Sequence, residues 1–271
     1  FKIRGVFNKL LSLSEEEKKR GIVTASSGNH GAAFAYASNV LNLNGIVFLP
    51  ENASPAKIQD IKQYNVELRF YGNDTVKTEI FARNFAEEQG MTYVPPYNDP
   101  KVIGGQGTIG TELEKQLEKI DAVLVPVGGG GLISGIAGYL KETIEDVEII
   151  GVQPENSAVM YHSIKAGKIL ELESKPTLAD GTAGGIEKDS VTFELCRKYV
   201  DDFILLSEEE IAKAILLTLE KHHMLIEGAG ALSVAAYLKE PARFKGKNVV
   251  LILSGCRISL DRLRKILKAF G

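Results

Sequence analysis

Short apolar runs recur along the chain, each closed by turn-forming residues and followed by a stretch of helix length. They fall at 22–25, 45–49, 67–71, 92–94, 122–127, 148–152, 203–206 and 249–253. Most are apolar at every position rather than at alternate ones. A sheet with one wet face would alternate, so these read as parallel strands covered on both faces. Between them apolar positions recur at helical spacing. Pro55 supplies a rigid first turn for a helix over 55–63, and 76–88 keeps the helical period. Ser207 and Glu210 form a capping box that opens a helix running toward His223. The charged run 15–20 reads as a solvated helix, capped by Ser14 and stopped at Gly21. A last helix covers 259–270. This alternation predicts an α/β fold whose parallel strands are joined by right-handed crossovers.

Composition changes the picture little. The chain has 271 residues, 44% of them hydrophobic and 25% charged, a length between one large domain and two smaller ones. A net charge of −3 leaves no basic footprint, so neither nucleic acid nor a membrane surface is an expected partner. No apolar run approaches the roughly 18 residues of a membrane span. Cys196 and Cys256 lack paired spacing, which suits free thiols in a reduced, cytoplasmic compartment.

Glycine is the exception, with 27 residues gathered in clusters. Gly28 and Gly31 flank Asn29-His30, and Gly104, Gly105, Gly107 and Gly110 surround Gln106 and Thr108. Gly128, Gly129, Gly130 and Gly131 stand between the strand 122–127 and a helix. Glycines in that place free backbone N–H groups to wrap an anion, and the helix dipole favours it. A merely tight turn would need fewer of them. The dinucleotide fingerprint fails, because the sixth position from Gly128 is Ile133 and from Gly129 is Ser134. No Gly-Lys-Ser/Thr follows, so this is not a P-loop, and neither Ser26 nor Ser254 sits in a nucleophile elbow. Zinc spacings are absent, and the adjacent His222 and His223 point about 100° apart on a helix. A phosphorylated organic cofactor or substrate remains.

Four motifs, in order, resemble the fold-type II pyridoxal-phosphate enzymes, and among them the serine/threonine dehydratase (threonine ammonia-lyase) and serine racemase group. Phe1-Lys2-Ile3-Arg4-Gly5 is similar to the segment whose lysine carries the cofactor as a Schiff base. Ser26-Ser27-Gly28-Asn29-His30-Gly31 resembles the asparagine loop, and Gly128 to Gly131 with Leu132 the phosphate cup. Ser254-Gly255 resembles the site of the pyridine nitrogen. The resemblance implies a two-lobed, three-layer α/β fold with mostly parallel sheets, like the tryptophan synthase β-subunit. Its small lobe would be 21–98, and its large pyridoxal-phosphate-binding lobe 1–20 with 99–271. Relatives carry further residues before the lysine, so a segment upstream of residue 1 is expected to be missing.

The implied roles follow residue by residue. Lys2 would bind the cofactor and then, once freed, take the α-proton of the substrate. Asn29 would bond the ring hydroxyl, Gly181 would lie against the cofactor, and Glu227 would stand beside the ring or cap its own helix. Ser26, Ser27, Asn29 and His30 would surround the substrate carboxylate, with Asn98 nearby. Gly105, Gln106 and Thr108 fall where relatives place a helix N-terminus near the active site. Read alone, Lys2 is a surface lysine near a chain end and His30 a loop histidine; the neighbouring motifs give both a chemical reading.

Ser254 and Ser27 shape the expected reaction. A hydroxyl at position 254 cannot hold the pyridine nitrogen protonated as a carboxylate would, which leaves more charge at Cα and suits loss of a β-hydroxyl. The resemblance therefore implies pyridoxal-phosphate-dependent β-elimination of L-threonine or L-serine to a 2-oxo acid and ammonia. Ser27 is the residue of serine racemases, where it can act as a second acid/base; a loop hydroxyl is the equal alternative. Amino-acid racemisation and dehydration of another β-hydroxy amino acid, such as hydroxyaspartate, stay open. Cation-activated racemases bear acidic residues where this chain has Gln153 and Val159, so no metal is expected. Cys256 reads as an apolar filler or an oxidisable thiol. No regulatory domain is expected after the last helix. Relatives are commonly dimers or tetramers, so a homo-oligomer acting on a small amino acid is the expected state.

Overall fold

The computed structural model describes residues 1–53, 55–73 and 75–270. The chain folds into two compact units, Phe1–Gln106 and Gly107–Gly271. The first holds α1 (Lys2–Leu11), α2 (Glu15–Arg20), β1 (Ile22–Ala25), α3 (Asn29–Val40), β2 (Gly45–Leu49), α4 (Pro55–Lys62), β3 (Glu67–Phe70), α5 (Thr75–Glu88) and β4 (Thr92–Tyr93). The unit boundary falls inside α6 (Pro100–Gln116). The second unit continues with β5 (Ala122–Pro126), α7 (Gly131–Thr143), β6 (Glu148–Pro154), α8 (Val159–Ala166) and α9 (Val191–Tyr199). It ends with β7 (Asp202–Leu206), α10 (Glu208–His222), α11 (Gly228–Lys239), β8 (Val249–Leu251) and α12 (Leu260–Phe270).

Each unit has its own four-stranded parallel sheet. The orders are β3-β2-β1-β4 and β7-β6-β5-β8. In the first, Ile22 pairs with Gly45 on one side and Thr92 on the other. In the second, Ala122 pairs likewise with Glu148 and Val249. The uniformly apolar strands are explained by cover on two faces. Ile22, Val47, Leu49 and Val94 pack with Leu10, Phe34 and Ile61 from α1, α3 and α4. Their neighbours Val23, Ala25, Ile46 and Phe48 face the other way, onto Ala82 and Ala86 of α5. In the second unit Leu124, Ile150, Val152 and Ile204 bury themselves with Ile211, Ile215, Leu232 and Ile266 of α10, α11 and α12.

Both capping boxes form. Ser14 Oγ accepts the Glu17 N–H at 3.2 Å and the Glu17 carboxylate accepts the Ser14 N–H at 2.7 Å. Ser207 and Glu210 repeat this at 3.3 and 2.7 Å. The unit boundary differs from the lobes read in the sequence, since 1–20 and 99–106 group with the first unit. Val6, Leu10 and Leu13 fill its core beside Phe34 and Ala37. Among the described residues no helix is long and apolar enough to cross a membrane.

Candidate active site

β1 is the strand where the first sheet changes direction: β2 and β3 lie on one side, β4 on the other. Loops at the carboxyl end of such a strand open where no crossover covers them, and ligands bind there. Here the loop is Ser26-Ser27-Gly28, all half-buried, and it runs straight into α3. A Cβ on Gly31 would collide with the Ser26 carbonyl, so only glycine lets the helix fold back onto the loop. Ser26 Oγ accepts the Gly28 N–H at 3.2 Å. Ala32 N–H makes the first intrahelical bond, to the Gly28 carbonyl at 3.1 Å. The first turn of α3 thus starts directly from this loop, and a helix start favours an anion such as a carboxylate.

Two side chains from separate elements dock on the segment after β4. Lys2, at the start of α1, donates from Nζ to the Pro96 carbonyl at 2.7 Å. His30 Nε2 lies 3.0 Å from the Val94 carbonyl, which also accepts Thr24 Oγ1 at 2.8 Å. A carbonyl can only accept, so Nε2 carries the proton. Burial, and then the Lys2 cation, push the imidazole pKa down to about 3, so the ring is neutral. Nδ1 is then a bare acceptor, buried and without a partner among the described residues. The ring has no N–H to offer a carboxylate; the backbone N–H of His30 does.

Part of Lys2 stays at the surface, but its amine is enclosed. Burial lowers its pKa to about 8, with the Glu79 carboxylate pulling weakly the other way. About a tenth of the amine is thus uncharged at pH 7, far more than for an ordinary lysine, and the uncharged form is the nucleophile. Asn98 is half-buried on the turn that leads into α6. Gly105, Gln106 and Thr108 are not at a helix start, as the resemblance implied; they lie inside α6. Their glycine serves packing, since a Cβ on Gly105 would stand 2.6 Å from Gly5 Cα in α1.

The second sheet repeats the plan. β5 is its direction-changing strand, and the four glycines follow it. Gly130 sits in the left-handed region at φ +85° as the N-cap of α7. A Cβ there would meet Met160 Cε at 2.8 Å, Thr192 Cβ at 3.0 Å and Cys196 Sγ at 3.2 Å. Leu132, buried, continues α7 behind the loop. Gln153 fixes the approach to the loop: its amide donates to the Val127 carbonyl at 3.1 Å and accepts the Tyr161 N–H at 2.8 Å. A residue the sequence marked only as non-anionic is thus a tether.

Two more turns join the glycine loop. A Cβ on Gly128 would stand 3.0 Å from Thr182 Cα, in the turn Asp180–Thr182 that carries Gly181. Glu227 is the N-cap residue of α11, yet its side chain makes no cap bond. Its N–H goes to the Gly255 carbonyl at 3.1 Å and its carboxylate accepts the Arg257 N–H at 3.0 Å. The same carboxylate packs against Gly255 and near Gly181. Glu227 therefore ties the turn of Gly181 to that of Ser254, which is buried. Cys256 is exposed, so the reading as an apolar filler fails; Cys196 is the buried thiol, its pKa pushed up by burial to about 12. Among the described residues no group of three or more His, Cys, Asp or Glu could hold a metal.

The sequence missed the carbonyl segment 94–96. Its signal, Thr24 and His30 aiming at one carbonyl, exists only once β1, α3 and β4 are in register.

Two units, each built on a four-stranded parallel sheet, the first with an enclosed lysine at the start of α1 and the second with a glycine loop after β5, have the make-up of a fold-type II pyridoxal-phosphate enzyme. The chain matches the family of pyridoxal-phosphate dependent enzymes over residues 1–255, and it belongs to that family. It is 43% identical, over 98% of its own length, to an L-threonine ammonia-lyase of Thermotoga maritima, of which it spans 66%. Among solved structures, the processed threonine deaminase isoform 2 of Solanum lycopersicum matches with a TM-score of 0.94 and 35% identity. That match covers 100% of this chain and 79% of the other. Maize serine racemase matches with a TM-score of 0.91 and 32% identity, over 98% and 82% of the two chains.

The residues present fit the cofactor. Lys2 offers an enclosed amine of lowered pKa, the form that attachment to the cofactor requires. Four glycines in a row put no side chain over the loop backbone, and Gly130, at φ +85° with Met160, Thr192 and Cys196 packed behind it, admits no Cβ. Bonding capacity is also held on the lysine side, in His30 Nδ1 and in both amide atoms of the buried Gln106.

Proposed function

We propose that this chain eliminates the β-hydroxyl of L-threonine, L-serine or both, yielding a 2-oxo acid and ammonia. The Lys2 amine, enclosed and held near pKa 8, carries the reading. It is supported by the likeness to threonine ammonia-lyases over nearly the whole chain. Pyridoxal phosphate, when bound, supplies the electron sink that acidifies the α C–H of an amino acid.

The chain's own residues do the rest. The N–H groups of Asn29, His30 and Gly31 seat the substrate carboxylate, with Ser26 shaping the loop. The Asn29 side chain addresses the ring hydroxyl, and Asn98 lines the substrate. Gly128 to Gly131 and Leu132 hold the phosphate. Ser254 would hold the ring nitrogen, while Glu227 keeps the turns of Gly181 and Ser254 in place. Lys2 Nζ would take the α-proton of the bound substrate. Ser27 favours a second reading, amino-acid racemisation, in which its hydroxyl serves the opposite face of Cα; the likeness to maize serine racemase supports it.

The reading carries a homo-oligomer in a reducing cytoplasm, supported by the free thiols of Cys196 and Cys256 and by Leu260, Leu267 and Phe270 left exposed on α12. Light scattering checks the assembly. The decisive assay is 2-oxo acid release from a panel of β-hydroxy amino acids, with the absorbance of the attached cofactor followed in parallel. Lys2→Ala abolishes both signals; turnover retained in that variant overturns the assignment.

A further inference from the structure

Beneath the glycine loop lies a hydrogen-bonded pair that no motif announced. Thr192 Oγ1 donates to the Gly129 carbonyl at 2.6 Å, and Ser190 Oγ lies 2.8 Å from Thr192 Oγ1. Both residues are buried, at 0% and 2% exposure. The direction of the chain is fixed by chemistry. The Thr192 proton is committed to a carbonyl, which only accepts, so Ser190 donates to Thr192. Ser190 stands at the N-cap of α9 but makes no side-chain cap bond there. Its hydroxyl supports Thr192 instead of its own helix.

This bond acts on the cradle through the planar peptide. In a trans peptide the carbonyl oxygen and the next N–H point in opposite directions. Pinning the Gly129 carbonyl onto Thr192 therefore turns the Gly130 N–H away from α9. Gly130, in the left-handed region, is also the residue most closely walled in, by Met160, Thr192 and Cys196. A run of glycines has no intrinsic preference for one set of dihedrals, so something outside it must choose. The structure supplies that choice from α9.

We infer that Thr192, supported by Ser190, is a positioning residue that orients the glycine loop for the cofactor phosphate. The inference rests on the reading that this loop holds the phosphate. It concerns affinity for the phosphate group and not the chemistry at Lys2.

The experiment compares two probes on cofactor-free full chain: pyridoxal phosphate, and pyridoxal, which lacks the phosphate. Absorbance titration gives the affinity for each. Thr192→Val keeps the shape and removes the donor. It weakens pyridoxal phosphate about tenfold, the cost of a buried carbonyl losing its partner, and leaves pyridoxal within roughly twofold. Thr192→Ser restores the wild-type value. Should Thr192→Val fail to fold, Ser190→Ala carries the test with a smaller loss of the same selectivity. Equal loss for both probes, or unchanged binding of pyridoxal phosphate, overturns the inference. A wild-type chain that binds both probes alike overturns instead the phosphate reading on which it rests.

Discussion

In the first unit β1 has β2 on one side and β4 on the other; in the second, β5 stands the same way between β6 and β8. Both strands deliver their chain to a loop and then to a helix N-terminus, but the loops are made of different material. After β1 come Ser26, Ser27, Asn29 and His30, whose neighbourhood is set by side chains on carbonyls at 94–96. After β5 come four glycines, whose only functional groups are backbone, and the side chains that set them lie underneath. One topological position thus carries a loop rich in polar side chains in one sheet and a bare backbone loop in the other, the reactive site and the anion cradle of the proposed function. Changes in the first should alter chemistry at little cost to folding. Changes in the second should alter cofactor retention and stability together.

Lys2→Ala, expected to end turnover, is the extreme of the first kind. It removes an enclosed amine and leaves the core intact. The extreme of the second is Gly130→Ala. A non-glycine residue at φ +85° costs about 1–2 kcal/mol for its backbone. Crowding against Met160, Thr192 and Cys196 adds about 1–3 kcal/mol. Calorimetry of the cofactor-free chain should show a midpoint lower by several degrees for Gly130→Ala, and none of that drop for Lys2→Ala. Equal midpoints for the two variants would break the comparison.

The pH dependence of cofactor capture sharpens it further. The uncharged Lys2 amine is the attacking form, and its pKa is about 8. Stopped-flow absorbance on the cofactor-free chain should show the attachment rate rising about tenfold per pH unit below that value and levelling above it. Stability follows the same shift. The folded pKa lies below the ordinary lysine value of 10.5, so between about 8 and 10.5 the unfolded chain binds more protons and stability rises with pH. Below about 8 both states are protonated and the full cost of enclosing the cation persists. A capture rate that still rises tenfold per unit beyond pH 9 would place the amine in water, and one flat across pH 6 to 9 would show that the amine is not the titrating group.

Much of this was legible before any coordinates. Uniform apolar runs marked the strands because cover on both faces leaves no polar positions to interrupt them. Each of the eight strands falls within two residues of its expected bounds. The glycine loop was legible because four glycines in a row have few other uses. What the sequence hid were contacts between distant segments. Thr192 sits in Ser190-Val191-Thr192, which reads as an ordinary helix start, until α9 is laid under residue 129. The glycines around Gln106 mimicked a ligand loop, although Gly105 serves to let α6 approach α1 and Gly107 and Gly110 let it approach α7. The resemblance placed His30 beside the substrate carboxylate; the Val94 carbonyl takes the only ring proton, so the part of His30 that can serve there is its backbone N–H.

Ser27 gives the smallest expected effect and the finest test of the first unit. It is half-buried on the loop between β1 and α3, one residue from the Gly28 N–H that Ser26 Oγ accepts. If the loop owes its shape to Ser26 and to the close approach of Gly31, the Ser27 hydroxyl is free of structural duty and its removal changes chemistry alone. Elimination needs one base, on the face that Lys2 serves. Racemisation needs a second acid on the opposite face. Ser27→Ala should therefore leave 2-oxo acid formation within roughly twofold, since a surface-type substitution away from packing costs little, while D-serine formation from L-serine, followed by chiral chromatography, falls to background. Parallel loss of both activities would show that the hydroxyl belongs to the substrate seat itself. In that case the loop after β1 would, like the glycine loop after β5, act by holding its ligand.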